Sequence, residues 1–202
     1  MQLPTDEKKT LPKEGFPKED SSKKEEPSLS AENRTIVNRT SCMGLLLAFA
    51  LILSYVEILI PLQSGIPGMK LGLANLAVVL CLYLLGWREA LLLTILKALL
   101  SGFLFGNLFM LLYSLAGALV SGAVMILLKK ARGFHLPAVS AAGGVFHNLG
   151  QLLVALFAVE TYGVLYYIPF LLIAGMTTGL LIGSAASLIL PYIQNILKGN
   201  MT

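Results

Sequence analysis

Acidic side chains nearly vanish from this chain after its first forty residues. The last Asp is Asp20, and beyond the N-terminal stretch only Glu57, Glu89 and Glu160 remain, far apart in sequence. Diphosphate chemistry through Mg²⁺ normally needs clustered carboxylates, and three isolated ones make no cluster. Cysteine is almost as scarce. Cys42 and Cys81 lie in or beside apolar runs, with no CxxC or Cys/His ligand spacing, so they read as small hydrophobes and imply neither a disulfide nor a metal site. There is no GxxxxGK[ST] loop to cradle nucleotide phosphates, so any ATP drive must come from a partner. A nucleophile elbow and an HExxH pair are missing too. No enzyme and no cofactor is implied by what remains.

What is abundant is hydrocarbon. Hydrophobic residues make up 56% of the chain and charged residues only 13%, with a mean hydropathy of +0.78, which is the balance of an integral membrane protein rather than a soluble domain. The formal charge of +4 would suit nucleic acid. After residue 40, however, the basic residues sit at helix ends, where cytoplasmic loops of membrane proteins collect Lys and Arg, so no nucleic acid is expected as a partner. Residues 1–40 form a separate block with eight acidic and eight basic side chains among Pro, Ser and Gly. Such a segment cannot bury enough apolar surface to offset chain entropy, and a disordered, charged cytoplasmic tail is expected there. It lacks the apolar core that follows the short basic start of a secretory signal.

The apolar region from 41 to 195 divides into six expected transmembrane helices: about 43–60, 70–85, 89–105, 107–128, 137–159 and 166–190, with a short cytoplasmic tail at 196–202. The first ends at Pro61 and a turn-rich stretch, Gln63-Ser-Gly-Ile-Pro-Gly68; the second ends at Gly86-Trp-Arg-Glu89; the last ends before Pro191. Residues 89–128 are apolar but for Lys97. As one helix they would span about 60 Å, twice a bilayer core of about 30 Å, so they must fold back at Gly102, Gly106 and Asn107. The fold class is therefore an all-α membrane protein, a six-helix bundle. With the N- and C-termini cytoplasmic, Arg34, Arg39, Arg88, Lys129, Lys130, Arg132 and Lys198 all fall inside, and only Lys70 outside.

Against that background a few polar residues stand out. An ionisable group near mid-bilayer costs about 2.5–3.5 kcal/mol on insertion scales, so it faces a partner, a water-filled cavity or a ligand. Glu57, Lys70, Asn75, Lys97, His147, Asn148 and Gln151 are the candidates for substrate binding, all in the middle-to-outer half of the bundle. His147 and Gln151 are spaced i, i+4 and share a helix face. Two readings of these residues stand side by side: hydrogen-bonding glue between helices, at about 1 kcal/mol per contact, or contact with a small-molecule ligand. Likewise Lys97 either pairs with Glu57 or meets an anionic group, and Lys70 either anchors at the interface or binds. More cationic-capable groups than acids point to an anionic or amphipathic ligand. Small residues at Gly175, Gly179, Gly183 and Ser187, and at Ser114, Ala118 and Gly122, mark close helix–helix contacts, inside the bundle or with another subunit.

Four segments carry a family resemblance: Ser54-Tyr-Val-Glu-Ile-Leu-Ile-Pro61, Gly65-Ile-Pro-Gly-Met-Lys-Leu-Gly-Leu-Ala-Asn-Leu76, Leu112-Tyr-Ser-Leu-Ala-Gly117 and Val145-Phe-His-Asn-Leu-Gly-Gln-Leu-Leu-Val-Ala155. Together they resemble the Gx transporter family, also labelled heptaprenyl diphosphate synthase component I, which is similar to the substrate-binding S components of energy-coupling factor (ECF) vitamin transporters. The resemblance covers about residues 42–195. It implies a multi-pass subunit in the cell membrane that captures a small molecule from outside and works with a coupling protein and ATPases, or else an accessory partner of a prenyl diphosphate synthase. The AxxxA contact motif of the first helix in ECF S components is replaced by Gly44-xxx-Ala48.

Overall fold

Helices account for all the regular structure that the computed structural model describes, which is residues 26–59, 72–106, 108–131, 133–159, 166 and 168–199. They are α1 (Glu26–Leu59), α2 (Asn75–Leu84), α3 (Trp87–Phe105), α4 (Leu108–Lys130), α5 (Leu136–Val159) and α6 (Ile168–Gly199). Residues 1–25 and 200–202, assigned above to the tails, lie outside the described residues. The chain divides into two units, Met1–Val37 and Asn38–Thr202, and the core and the cleft belong to the second.

Four helical stretches are long and apolar enough to cross a membrane: Ile36–Leu59, Leu108–Lys130, Leu136–Phe157 and Ile168–Ile196. The chain is a multi-pass membrane protein. The expectation of six full crossings is corrected at α2. α2 has ten residues, about 15 Å, half of what a span needs. It starts at Asn75 because Gly72 sits at φ +76°, a left-handed conformation that cannot continue a right-handed helix and that favours glycine. α3 has nineteen residues but carries Arg88, Glu89 and Lys97.

Helix ends differ elsewhere too. α1 begins at Glu26, inside the stretch expected to be disordered, because Pro27 falls in its first turn, where a missing N–H costs nothing. α6 runs through Pro191 to Gly199 instead of stopping at Leu190, since a membrane helix tolerates the one hydrogen bond a proline removes. The hairpin between α3 and α4 follows expectation: Gly106 is extended and its N–H bonds the Gly102 carbonyl at 3.1 Å. Asn107 lies outside the described residues.

The short α2 is the core element. Residues Ala77 to Leu82 are all buried, packed with Leu46 and Ala50 of α1, Leu93 of α3, Met125 of α4, Val139 of α5 and Ala186 of α6. A helix apolar on every face is stable only when enclosed. Its C-terminal carbonyls are then closed off by cations. Arg39 donates to the Leu85 carbonyl at 2.9 Å and to the Glu89 carboxylate, and Lys129 donates to the Leu82 carbonyl. Positive charge at a helix C-terminus also opposes the macrodipole. Because the Arg39–Glu89 pair is 50% and 25% exposed, its ion-pair share is small. Arg39→Ala is expected to cost about 1 kcal/mol in total, measured as a lower unfolding temperature in detergent.

α5 and α6 meet backbone to backbone. A Cβ on Gly175 would lie 2.7 Å from the Gly144 carbonyl oxygen, one on Gly179 would lie 2.6 Å from that of Ser140, and one on Gly183 would lie 2.6 Å from the Pro137 Cα. The glycine stripe of α6 therefore packs inside the bundle. At Gly44, by contrast, an added Cβ would meet nothing within 4 Å, and Ala48 is exposed.

Candidate binding cleft

The turn that starts α2 is the meeting point of three helices. Glu57 of α1 accepts a hydrogen bond from the Gly72 N–H, and Asn75 Oδ1 accepts one from Lys97 Nζ of α3 at 2.8 Å. Within the turn, the Asn75 N–H bonds the Gly72 carbonyl at 2.8 Å. A backbone conformation that favours glycine thus brings a carboxylate and an ammonium to the same short turn. Lys97 is buried, and donation to the Asn75 amide helps to solvate its charge.

Across from this turn stands α5. Gly72, Asn75 and Val79, Met125 of α4, Ser140, Gly143, Gly144, His147 and Asn148 of α5, and Thr178, Gly179 and Ile182 of α6 line one cleft. Its free volume is about 10 Å³, room for about one water molecule. Asn75, His147 and Asn148 face it directly, while Glu57 and Lys97 reach it through Gly72 and Asn75. Lys70 lies outside the described residues.

Asn148 and Gln151 have jobs the sequence leaves open. Asn148 Nδ2 donates to the Leu171 carbonyl of α6 at 2.7 Å. Asn148→Ala is expected to lower stability by about 1 kcal/mol, the scale of a polar contact between membrane helices, read as a drop in unfolding temperature. Gln151 turns to α4. It is 1% exposed, and a Cβ on Gly117 would come 2.7 Å from its Cγ and 2.8 Å from the His147 carbonyl oxygen. It sits in the α4–α5 seam and is not among the cleft-lining residues.

Ser140, Gly143, Gly144 and Thr178 complete the lining, and sequence reasoning missed all four. Ser140, Gly144 and Asn148 are spaced i, i+4, i+8 on one face of α5, while Gly143, His147 and Gln151 make the neighbouring stripe. That double period, one stripe toward α6 and one toward α4, was the available signal. On α4 the small residues facing α5 include Gly117 and Ser121, spaced i, i+4 beside the Ser114, Ala118, Gly122 series; a Cβ on Gly122 would touch Thr94 of α3 at 3.9 Å. Among the described residues no group of three His, Cys, Asp or Glu side chains could hold a metal ion.

The sequence model of one family, heptaprenyl diphosphate synthase component I, matches residues 46–189, more than two thirds of the chain. The chain belongs to that family. The match runs from Leu46 of α1 to Ile189 of α6, so every cleft residue named above falls within the matched stretch. No curated protein and no solved structure matches the chain.

Proposed function

We propose that this chain is the substrate-binding membrane subunit of a small-molecule importer, similar to ECF S components, with both termini cytoplasmic and the cleft open to the outer side of the cell membrane. One observation carries the reading: in a bundle with few polar side chains, Glu57, Asn75, Lys97, His147 and Asn148 come from four helices to the surroundings of one cleft. Lys97, with Lys70 beyond the described residues, neutralises an anionic group of the ligand; His147 and Asn75 supply hydrogen bonds; Glu57 holds the turn in place. An anionic or amphipathic molecule fits this set.

A cleft the size of one water must widen to take such a ligand. Since α6 is held against α5 at Gly144, Gly175 and Gly179, the element that gives way is the turn Gly72–Asn75, whose hydrogen bonds to α1 and α3 run through the Glu57 and Lys97 side chains. The chain itself carries out no reaction in this proposal. The partners are a coupling protein and ATPases, because the bundle offers no phosphate loop of its own.

The family name favours a second reading, a noncatalytic membrane component beside a polyprenyl diphosphate synthase. Isolation of the full chain from native membranes separates the two. Recovery with ATPase and coupling subunits is the expected result; recovery with a soluble prenyl synthase instead assigns the second reading.

A further inference from the structure

At the end of the bundle remote from the α3–α4 turn, four cations gather, and two of them are already engaged. Arg39 is held by Glu89 and the Leu85 carbonyl, and Lys129 by the Leu82 carbonyl and the Tyr83 ring, with Nζ 4.8 Å from the ring centre. Arg88 and Lys130 are placed differently. Both approach the ring of Trp87, the Arg88 guanidinium carbon at 5.3 Å and Lys130 Nζ at 5.2 Å from its centre, and among the described residues neither makes a hydrogen bond or ion pair. The nearest acid in sequence, Glu89, is committed to Arg39. Trp87 is itself 45% exposed.

Below this cationic pair the surface is hydrocarbon. Leu92 lies one turn along α3 from Arg88 and Leu127 one turn back along α4 from Lys130, so each shares a face with its cation; they are 49% and 65% exposed. α3 and α4 are antiparallel arms of one hairpin, and the contact between Lys130 and Trp87 brings their open ends together. Two uncompensated positive charges at the depth of an interfacial tryptophan, with exposed leucines running into the membrane, match an amphiphile with an anionic head.

We propose that Trp87, Arg88 and Lys130 form a binding site for the phosphate headgroup of an anionic phospholipid, with an acyl chain lying along Leu92 and Leu127. Charge complementarity selects the headgroup, and the leucines select a lipid over a free anion, since a soluble phosphate gains nothing from them. The ring of Trp87 holds both cations in place and leaves their N–H donors without a hydrogen-bond acceptor among the described residues. Occupation ties the open end of the α3–α4 hairpin to one leaflet and so fixes the depth of Lys97 on α3.

The test uses the full chain in a non-ionic detergent, titrated with phosphatidylglycerol or phosphatidylcholine and read by native mass spectrometry. Phosphatidylglycerol is expected to be retained in preference. The double variant Arg88→Gln/Lys130→Gln is expected to bind it about thirty-fold more weakly, with the lipid-free protein still folded and its melting temperature lowered only slightly, because exposed contacts to the Trp87 ring are lost but no hydrogen bond is. Equal retention of the two lipids by the wild type overturns the proposal, as does unchanged phosphatidylglycerol binding in the double variant. Displacement of the lipid by inorganic phosphate assigns a free-anion site and overturns it too. Should the double variant fail to fold, the single variants and the wild-type preference between the two lipids decide the matter.

Discussion

Gly144→Ala is expected to destabilise the bundle by about 3 kcal/mol, the upper end of the cost of overpacking a close-packed interior. Its Cβ would lie 2.1 Å from the Gly175 carbonyl oxygen, 3.1 Å from the Gly175 carbonyl carbon and 3.3 Å from the Gly179 Cα. All three are backbone atoms. No rotamer change relieves such a contact, so α5 and α6 must separate, and Ser140, Asn148 and Thr178 on the cleft wall separate with them. The variant should therefore lose ligand binding together with stability. Gly44→Ala is the matched control: with nothing within 4 Å of its Cβ, its effect should stay within about 0.5 kcal/mol. Thermal unfolding of both variants in the same detergent checks the pair, and equal melting temperatures would refute the packing account.

Lys97→Met is expected to weaken ligand binding by about tenfold to a hundredfold, because a hydrogen bond to a charged group contributes about 1.5–3 kcal/mol. Methionine keeps the length and apolar stem of lysine and removes only the ammonium. Stability should move less than affinity. Asn75 Oδ1 loses its 2.8 Å donor, which is unfavourable, but the cost of burying a charge at that depth is relieved at the same time. The two quantities are read from one experiment, the melting temperature as a function of ligand concentration, since a ligand that binds only the folded state raises it by mass action. A large fall in the ligand-free melting temperature with unchanged ligand shift would make Lys97 a structural residue only.

Much of this architecture is visible in the chain itself, for reasons specific to a membrane. α5 was expected at 137–159 and is Leu136–Val159; the hairpin at Gly102–Asn107 was forced by the length of the apolar run between Glu89 and Leu128. Glu57, Lys97 and His147 stood out because burial of a polar group in hydrocarbon is costly enough to need a reason. The misses have a common cause, which is that they depend on backbone conformation or on register between helices. Nothing in the letters around Gly72 announces a positive φ, so the sequence alone makes α2 too long. Pro191 reads as a helix end, yet it falls in a helix whose neighbouring bonds carry on past it. Gly143 and Gly144 look like any small residues of a membrane helix until the register of α6 against α5 shows that one of them borders α4 and the other touches the α6 backbone. Gln151 shares a face with His147, as its spacing requires, and that face turns to Gly117 on α4 while the His147 side chain reaches the edge of the cleft.

A small molecule held by the polar groups around Gly72 and Asn75 should travel with the protein through purification. Mass spectrometry of compounds released from the full chain, purified without added ligand, tests it most directly, with the Lys97→Met protein prepared in parallel. The prediction is a single compound near equimolar with the wild type and absent from the variant. A wild-type preparation that releases nothing beyond lipid, or a variant that releases the same compound in the same amount, would contradict it.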